Sequence, residues 1–299
     1  MKAMILAAGY GTRLRPLTDQ KPKALMPVAN RPVIDRVIAY LKAGGVTGIV
    51  VNAHHHREQL VHYLDKGRPF GLDMDVRMEP EILGTGGGIK NTADFWDTAP
   101  FVVINVDILT NIDLVRACDA HRASGALVTL VLHDYGPCNQ VRTDGAGHIL
   151  EIMPRPRPGA LAFTGIHIMN PELLDHIPGN GYSDIIDSYR NLIHADEPIH
   201  AFISEGHYWR DMGSIESYRE ANRELAKEPL TLAPGCRVDP SASLRDWAVI
   251  GQNCIVEPGT EIRRSVLWDR VFVRKGIRII DSIVTTGNCV EKDLIDTVS

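Results

Sequence analysis

What this chain lacks narrows its class quickly. Its five cysteines (Cys118, Cys138, Cys236, Cys254 and Cys289) lie far apart, and no Cys-x-x-Cys occurs. Neither a disulfide scaffold nor a zinc knuckle is expected, and a reducing cytoplasm fits. No apolar run approaches the roughly 18 residues of a membrane helix, so no membrane partner is expected. The N-terminal apolar run is too short for a secretory signal core and passes into Gly and Arg without a cleavage pattern. Surplus positive charge is missing too. A formal net charge of -5 argues against broad nucleic-acid binding. With 44% hydrophobic and 23% charged residues the composition is that of a globular protein, and 299 residues suffice for two domains.

Against that ordinary background one stretch stands out, Met4 to Val28. It begins as a short apolar run, read as a buried strand. Gly9 and Gly11 follow, which let the backbone turn tightly and approach a ligand. Arg13, Arg15, Lys21 and Lys23 come next. Backbone N–H donors at a glycine loop, with cations close behind, are what a polyanionic phosphate ligand needs. The dinucleotide fingerprint is absent, because position 14 is Leu rather than a third Gly, and no Gly-Lys-Ser/Thr closes a Walker loop.

Strand and helix patterns alternate through the next two hundred residues. Helical spacing covers Pro32–Leu41 and ends at Gly44-Gly45; Gly48–Ala53 reads as a strand, and a polar helix follows around Arg57–Leu64. A buried strand from Phe101 runs to Asp107, a helix spans Ile112–Ala123, and Leu127–Leu132 is a strand. Met153–Gly159 is a Pro-rich loop, Leu161–Met169 a strand, and Ser183–His194 and Ser214–Ala226 are helices. This alternation predicts a mostly parallel, Rossmann-like sheet with helices on both faces, its ligands at the carboxyl ends of strands. Gly9, Ala53 and Asp107 fall at such ends.

Beyond Glu228-Pro229 the period changes to six. Apolar residues recur at Val238, Leu244, Ile250, Val256 and Ile262. After a slip they resume at Val271, Ile277, Ile283, Cys289 and Ile295. A hexapeptide period predicts a parallel β-helix, one side per six residues. The expected domains are therefore 1–228 and 229–299.

The first stretch, as Leu6-Ala7-Ala8-Gly9-Tyr10-Gly11-Thr12-Arg13-Leu14 with Lys21-Pro22-Lys23-Ala24-Leu25, resembles the signature of the sugar-1-phosphate nucleotidyltransferases. The resemblance spans essentially the whole chain, and the tail is similar to the left-handed β-helix of several members. It implies attack of a sugar-1-phosphate oxygen on the α-phosphorus of a nucleoside triphosphate, with Mg²⁺ required. Arg13 and Lys23 would neutralise the triphosphate; Arg15 and Lys21 are weaker candidates. Asp107, in Asn105-Val106-Asp107, and Asp211, in Trp209-Arg210-Asp211-Met212-Gly213, match the two family aspartates that hold the metal, and Asp107 is also counted as catalytic. Nucleotide contacts are implied for Ala7, Ala8, Gly9, Gly11, Thr12, Asn52, Gly84, Thr85, Gly86, Gly87 and Asn105.

Phe163-Thr164-Gly165-Ile166 matches a sugar-facing segment, so Thr164 and Gly165 are sugar candidates, with Glu151 beside them. Where many members carry Glu-Lys-Pro, this chain reads Glu151-Ile152-Met153-Pro154; either Arg155 or Arg157 substitutes for the lysine, or the acceptor differs. The domain order resembles mannose-1-phosphate guanylyltransferases. The Thr-Gly-Gly-Gly-Ile and Phe-Thr-Gly-Ile segments resemble N-acetylmuramate-1-phosphate uridylyltransferases. An inert nucleotide-sugar sensor and a β-helix acyltransferase are the alternatives; intact Arg13, Lys23, Asp107 and Asp211 argue against the first. The short tail, without an evident catalytic His, argues against the second and for a homo-oligomer joined through the β-helix. His54-His55-His56 is read as ordinary surface, because adjacent side chains point apart.

Overall fold

The computed structural model describes residues 1–65, 70–179, 181–226 and 229–299. The chain forms two compact units. One comprises Met1–Tyr10 and Arg36–Trp209, the other Gly11–Asp35 and Arg210–Ser299. The signature stretch is thus divided: its strand belongs to the first unit and its basic half to the second. Residue 228, at the expected domain junction, lies outside the described residues.

The first unit is a mixed α/β layer structure around one sheet. Its strands are β1 (Lys2–Leu6), β2 (Gly48–Ala53), β3 (Asp73–Met78), β4 (Phe101–Asn105), β5 (Val128–His133), β6 (Asn139–Thr143), β7 (Ile149–Ile152), β8 (Leu161–Met169) and β9 (Ile199–Ile203). The sheet runs β7-β6-β8-β4-β1-β2-β3, with β5 beside β8 and β9 beside β5. β1 lies parallel to β2 and β4, and β2 parallel to β3, which gives the Rossmann-like centre. The far arm departs from the expected parallel sheet. β8 is antiparallel to β4, β5 and β6, and β6 to β7. Short connections such as that from β6 to β7 permit only antiparallel pairing, since a parallel return needs a dozen or more residues.

Alternation along the central strands divides their apolar side chains between two faces. Met4, Val50 and Val103 face a core shared with Ile89 of α3 (Gly84–Lys90) and with Ile185, Tyr189 and Leu192 of α5 (Ile185–His194). The other helices are α1 (Val33–Ala43), α2 (Arg57–Asp65), α4 (Leu114–Ser124) and, in the second unit, α6 (Ile215–Leu225). Asp113 caps α4 by accepting from Arg116 N at 3.0 Å, and Asp184 caps α5 through Ile186 N at 3.0 Å. Ser214 and Ser217 form a reciprocal capping box on α6.

From Leu230 onward the second unit is a pile of short parallel strands, each pairing with one a coil later. Three apolar columns result. One stacks Val238, Val256, Val273 and Val290; another Leu244, Ile262, Ile279 and Leu294; the third Ile250, Leu267 and Val284. Their buried members form one continuous core. Read along the chain, Ile250, Val256, Ile262, Leu267, Val273, Ile279, Val284 and Val290 advance by six, six, then five residues. That recurrent five accounts for the slip in the period and moves the last coils out of the expected phase. Cys289 and Ile295, expected inside, are exposed, and Val290 and Leu294 take their places. The coil corners at Asp246, Arg264, Asp281 and Asp296 have φ of 59°, 48°, 51° and 49°. This left-handed region disfavours most side chains, and here the corners gain from a ladder. Arg264 donates to Asp246 at 2.7 Å and to Asp281 at 2.5 and 2.7 Å.

Candidate active site

In the first unit the parallel strands end together. Leu6 is level with Asn52 on one side and Asn105 on the other. The turn after β1 is fixed by Asn52, whose Oδ1 accepts from Ala7 N at 2.7 Å. Asn52 Nδ2 donates to Glu79 Oε1 at 2.7 Å, and Leu83 N donates to Glu79 Oε2 at 3.1 Å. Asn52 and Glu79 are both buried. The sequence reading placed Asn52 at a nucleotide. In the structure its amide has a protein partner on each side, Ala7 N and Glu79 Oε1. Glu79 was missed; a lone Glu before Pro80 carries no motif.

Glycines at the site have two different origins. A Cβ on Gly9 would meet no protein atom within 4 Å. Protein packing therefore does not require glycine there. Gly11 has φ +63°, and a Cβ would come within 2.7 Å of Thr18 Cγ2, so backbone and neighbour both demand it. Residues 84–90 form a short helix rather than an open glycine loop. A Cβ on Gly84 would lie 2.5 Å from Ser183 O, on Gly86 2.6 Å from Ser183 Oγ, and on Gly87 2.6 Å from Gly181 O. These glycines let α3 press against the segment leading into α5. Thr85 Oγ1 donates to Asp184 Oδ1 and accepts from Ile185 N, each at 3.0 Å. Its hydroxyl thus serves the α5 cap.

Asp107 sits half-buried in the turn after β4. The neighbouring strand β8 is interrupted at Gly165, where φ is +79° and the register shifts. Gly165 lies against the Asn105 amide: a Cβ would be 2.9 Å from Nδ2. Thr164 is fully buried and donates its hydroxyl to Val131 O at 2.8 Å. The sugar candidate Thr164 thus gives its hydroxyl proton to the sheet. Trp209 Nε1 donates to Thr164 O at 2.9 Å. Trp209 also packs with His133 and Tyr135, at ring centroid distances of 4.5 and 5.4 Å. Burial, then the charge of His207, pushes the His133 imidazolium down to about 4. Glu151 is exposed on β7 and faces Arg142 at 3.4 Å, and Arg155 and Arg157 are exposed in the following loop.

His54 is a fastener at the same strand ends. Its Nδ1 meets Glu79 O at 2.9 Å and its Nε2 meets Tyr10 Oη at 3.1 Å. Among the described residues no group of three or more His, Cys, Asp or Glu is arranged to hold a metal.

In the second unit, buried Leu14 and Leu17 pin the basic segment and leave Thr12 and Arg13 exposed. Arg15 pairs with Asp19 at 3.2 Å in the open, an interaction of little energetic weight. Lys23 opens a short helical turn after Pro22. Asp211 is held from both sides: Arg210 reaches Glu224 of α6 at 2.8 Å, and Ser214 begins that helix. Gly213 joins the two motifs. A Cβ there would lie 3.0 and 3.1 Å from the Arg13 guanidinium nitrogens and 3.1 Å from Asp211 Oδ1. The fold thus brings Arg13 and Asp211 to one glycine within this unit.

The profile of the family described as nucleotidyl transferase matches residues 2–228. A UTP–glucose-1-phosphate uridylyltransferase from Synechocystis sp. is 29% identical over 349 residues, covering 98% of this chain and 89% of its own. A mannose-1-phosphate guanyltransferase from Saccharomyces cerevisiae is 32% identical over 263 residues, covering 81% and 72%. A Bacillus anthracis structure, described as a glucose-1-phosphate thymidylyltransferase in complex with a sucrose, aligns with a TM-score of 0.67 at 23% identity, over 76% of this chain and 96% of its own. At that identity the structural likeness speaks for the fold.

Proposed function

Because this chain belongs to the nucleotidyl transferase family, as an enzyme of its sugar-1-phosphate kind, we propose that it makes a nucleotide-activated sugar from mannose-1-phosphate and GTP. The observation that carries the site assignment is the meeting of Arg13 and Asp211 at Gly213. A guanidinium and a carboxylate fixed on one small residue suit a pocket that takes phosphate groups, one through charge-assisted hydrogen bonds and the other through a cation. Arg13 and Lys23 bind the triphosphate and offset negative charge as the α-phosphorus is attacked and pyrophosphate departs. The open space at Gly9 lets phosphate approach the backbone after β1. Ala7, Ala8, Gly11 and Thr12 shape that turn, and the Gly165 bulge beside Asn105 presents backbone to the sugar.

Asp107 in the first unit and Asp211 in the second are each hard oxygen donors of the kind Mg²⁺ takes, one or two carboxylates with waters and substrate phosphates as its other ligands. When bound, it would neutralise phosphate charge during transfer. The stacked strands beyond residue 229, with their six-six-five advance, read as a left-handed β-helix that joins copies of the chain. Among the described residues no helix is long and apolar enough to cross a membrane. None of the five cysteines, all among the described residues, is joined in a disulfide, which favours a reducing cytoplasm.

A second reading, uridylyl transfer to glucose-1-phosphate or N-acetylmuramate-1-phosphate, is favoured by the uridylyltransferase name of the Synechocystis relative, which spans nearly the whole chain. A pyrophosphate-release screen of all common triphosphates against a panel of sugar-1-phosphates decides. The highest kcat/KM is expected with GTP and mannose-1-phosphate. Preference for UTP selects the second reading. Tight nucleotide-sugar binding without turnover would leave the inert sensor.

A further inference from the structure

The basic segment does not stand alone in its unit. Lys21 Nζ lies over the Trp268 indole, 5.0 Å from the ring centroid. Gln20 Nε2 donates to Thr285 Oγ1 at 2.9 Å, and Asn30 Nδ2 donates to Ile250 O at 2.9 Å. Ile250, Trp268 and Thr285 stand on three successive coils: Ile250 is level with Leu267, and Leu267 with Val284. Together they make one edge of the stack. Behind them, Trp268 Nε1 donates to Tyr218 Oη at 2.9 Å, and Tyr218 Oη donates to Pro27 O. Asn222 Oδ1 accepts from Ala29 N at 2.9 Å. Trp268, Tyr218 and Asn222 are buried. Residues 20–30 thus meet the stack edge and α6 at five points.

We propose that Trp268 is a positioning residue for nucleotidyl transfer, holding Lys21 so that Lys23 points at the phosphates. The proposal rests on the reading of the site given above. Lys21 is linked to Lys23 through Pro22 alone, whose ring fixes φ, here -62°. Anchoring one lysine therefore constrains the other across a stiff joint. A lysine chain left free would lose much rotational freedom on meeting phosphate, and preorganisation removes that cost before the transition state. The indole is the best face for the purpose, because it attracts a partly desolvated ammonium. On this account the C-terminal stack belongs to the transfer machinery and does not act only as an assembly module.

The test compares Trp268→Leu, Trp268→Phe, Lys21→Met and the Trp268→Leu/Lys21→Met double variant in the full chain. Loss of a cation–aromatic contact is expected to lower kcat by about three- to thirtyfold, with KM for both substrates held within about threefold. Trp268→Phe should recover most of the loss. The double variant should be no worse than the poorer single, because the two residues act as one device. Lys21 is only half-buried, so Lys21→Met keeps the question open to experiment even where Trp268→Leu unfolds. Hydrogen exchange at residues 20–30 gives a second readout and should quicken in Trp268→Leu and in Lys21→Met. Wild-type kcat in Lys21→Met, additive losses, or unchanged exchange would each overturn the proposal. Absence of transfer by the wild-type protein with every substrate pair would instead overturn the reading of the site, and exchange would still decide whether Trp268 seats the loop.

Discussion

Asp107 and Asp211 reach their places by different means, one by the turn that ends a buried strand and the other by two anchors on α6. Neither is buried in the apolar cores, so removing its charge should spare the fold. Asp107→Asn and Asp211→Asn are each expected to lower turnover by on the order of a hundredfold or more, with the melting temperature nearly unchanged. Full activity in the Asp107→Asn protein would sink that assignment. Histidines set the response to acid. Burial pushes His133 down to about 4 and His167 to about 3, and it lowers His121, His200 and His207 as well. An unfolded chain takes up these protons near pH 6.5, whereas the folded one resists until the lower values. Between those limits the unfolded state holds more protons, so stability is full above about pH 6.5 and falls as the pH drops toward 4. Thermal melts from pH 8 to pH 4 should show this decline, with a shallower slope in His133→Gln. Melting temperatures flat from pH 7 to pH 4.5 would refute it.

At the scale of elements, α3 is the least expected piece. Gly84-Thr85-Gly86-Gly87-Gly88 contains little that favours a helix, since each glycine costs roughly 1 kcal/mol against alanine. The glycines are needed because side chains there would strike residues 181–185 or the Asn52–Glu79 pair, and Ile89, packed into the core, ties the helix down. Gly87→Ala sets these effects against each other. The helix gains about 1 kcal/mol from alanine, while a Cβ held 2.6 Å from the Gly181 carbonyl costs about 1–3 kcal/mol of overpacking. The clash should win, and the melting temperature should drop. Gly9→Ala is the counterpart. With no protein atom within 4 Å of its Cβ, stability should hold while transfer slows. A stable Gly87→Ala, or a fully active Gly9→Ala, would contradict these two explanations.

Over the whole molecule, the proposed assembly through the C-terminal stack can be checked without dismantling it. Deleting the stack would also remove Ile250, Trp268 and Thr285 from residues 20–30, confusing loss of assembly with loss of the loop's support. Leu232 and Ile295 are 46% and 54% exposed on the stack. Leu232→Glu and Ile295→Glu should lower the mass measured by light scattering while leaving the fold intact. An unchanged mass in both would remove those surfaces from the assembly.

Local pattern was enough for much of this protein. Glycine and cation spacing marked the signature stretch, and apolar spacing placed α1, β2, β4 and β8, because those signals arise within a few residues of chain. The hexapeptide period announced the stacked strands for the same reason. The antiparallel arm of the sheet, the helix at residues 84–90, and the burial of Asn52 and Thr164 depended on partners distant in sequence. A hydroxyl or amide has the same identity whether it faces a ligand or a neighbouring strand; only the tertiary structure assigns its partner. Cys289 and Ile295 were misplaced because a one-residue change in coil length turns every later side chain to another side. The meeting of Arg13 with Asp211 at Gly213, and of Lys21 with Trp268, likewise came from the fold, which alone can join residues so widely separated along the chain.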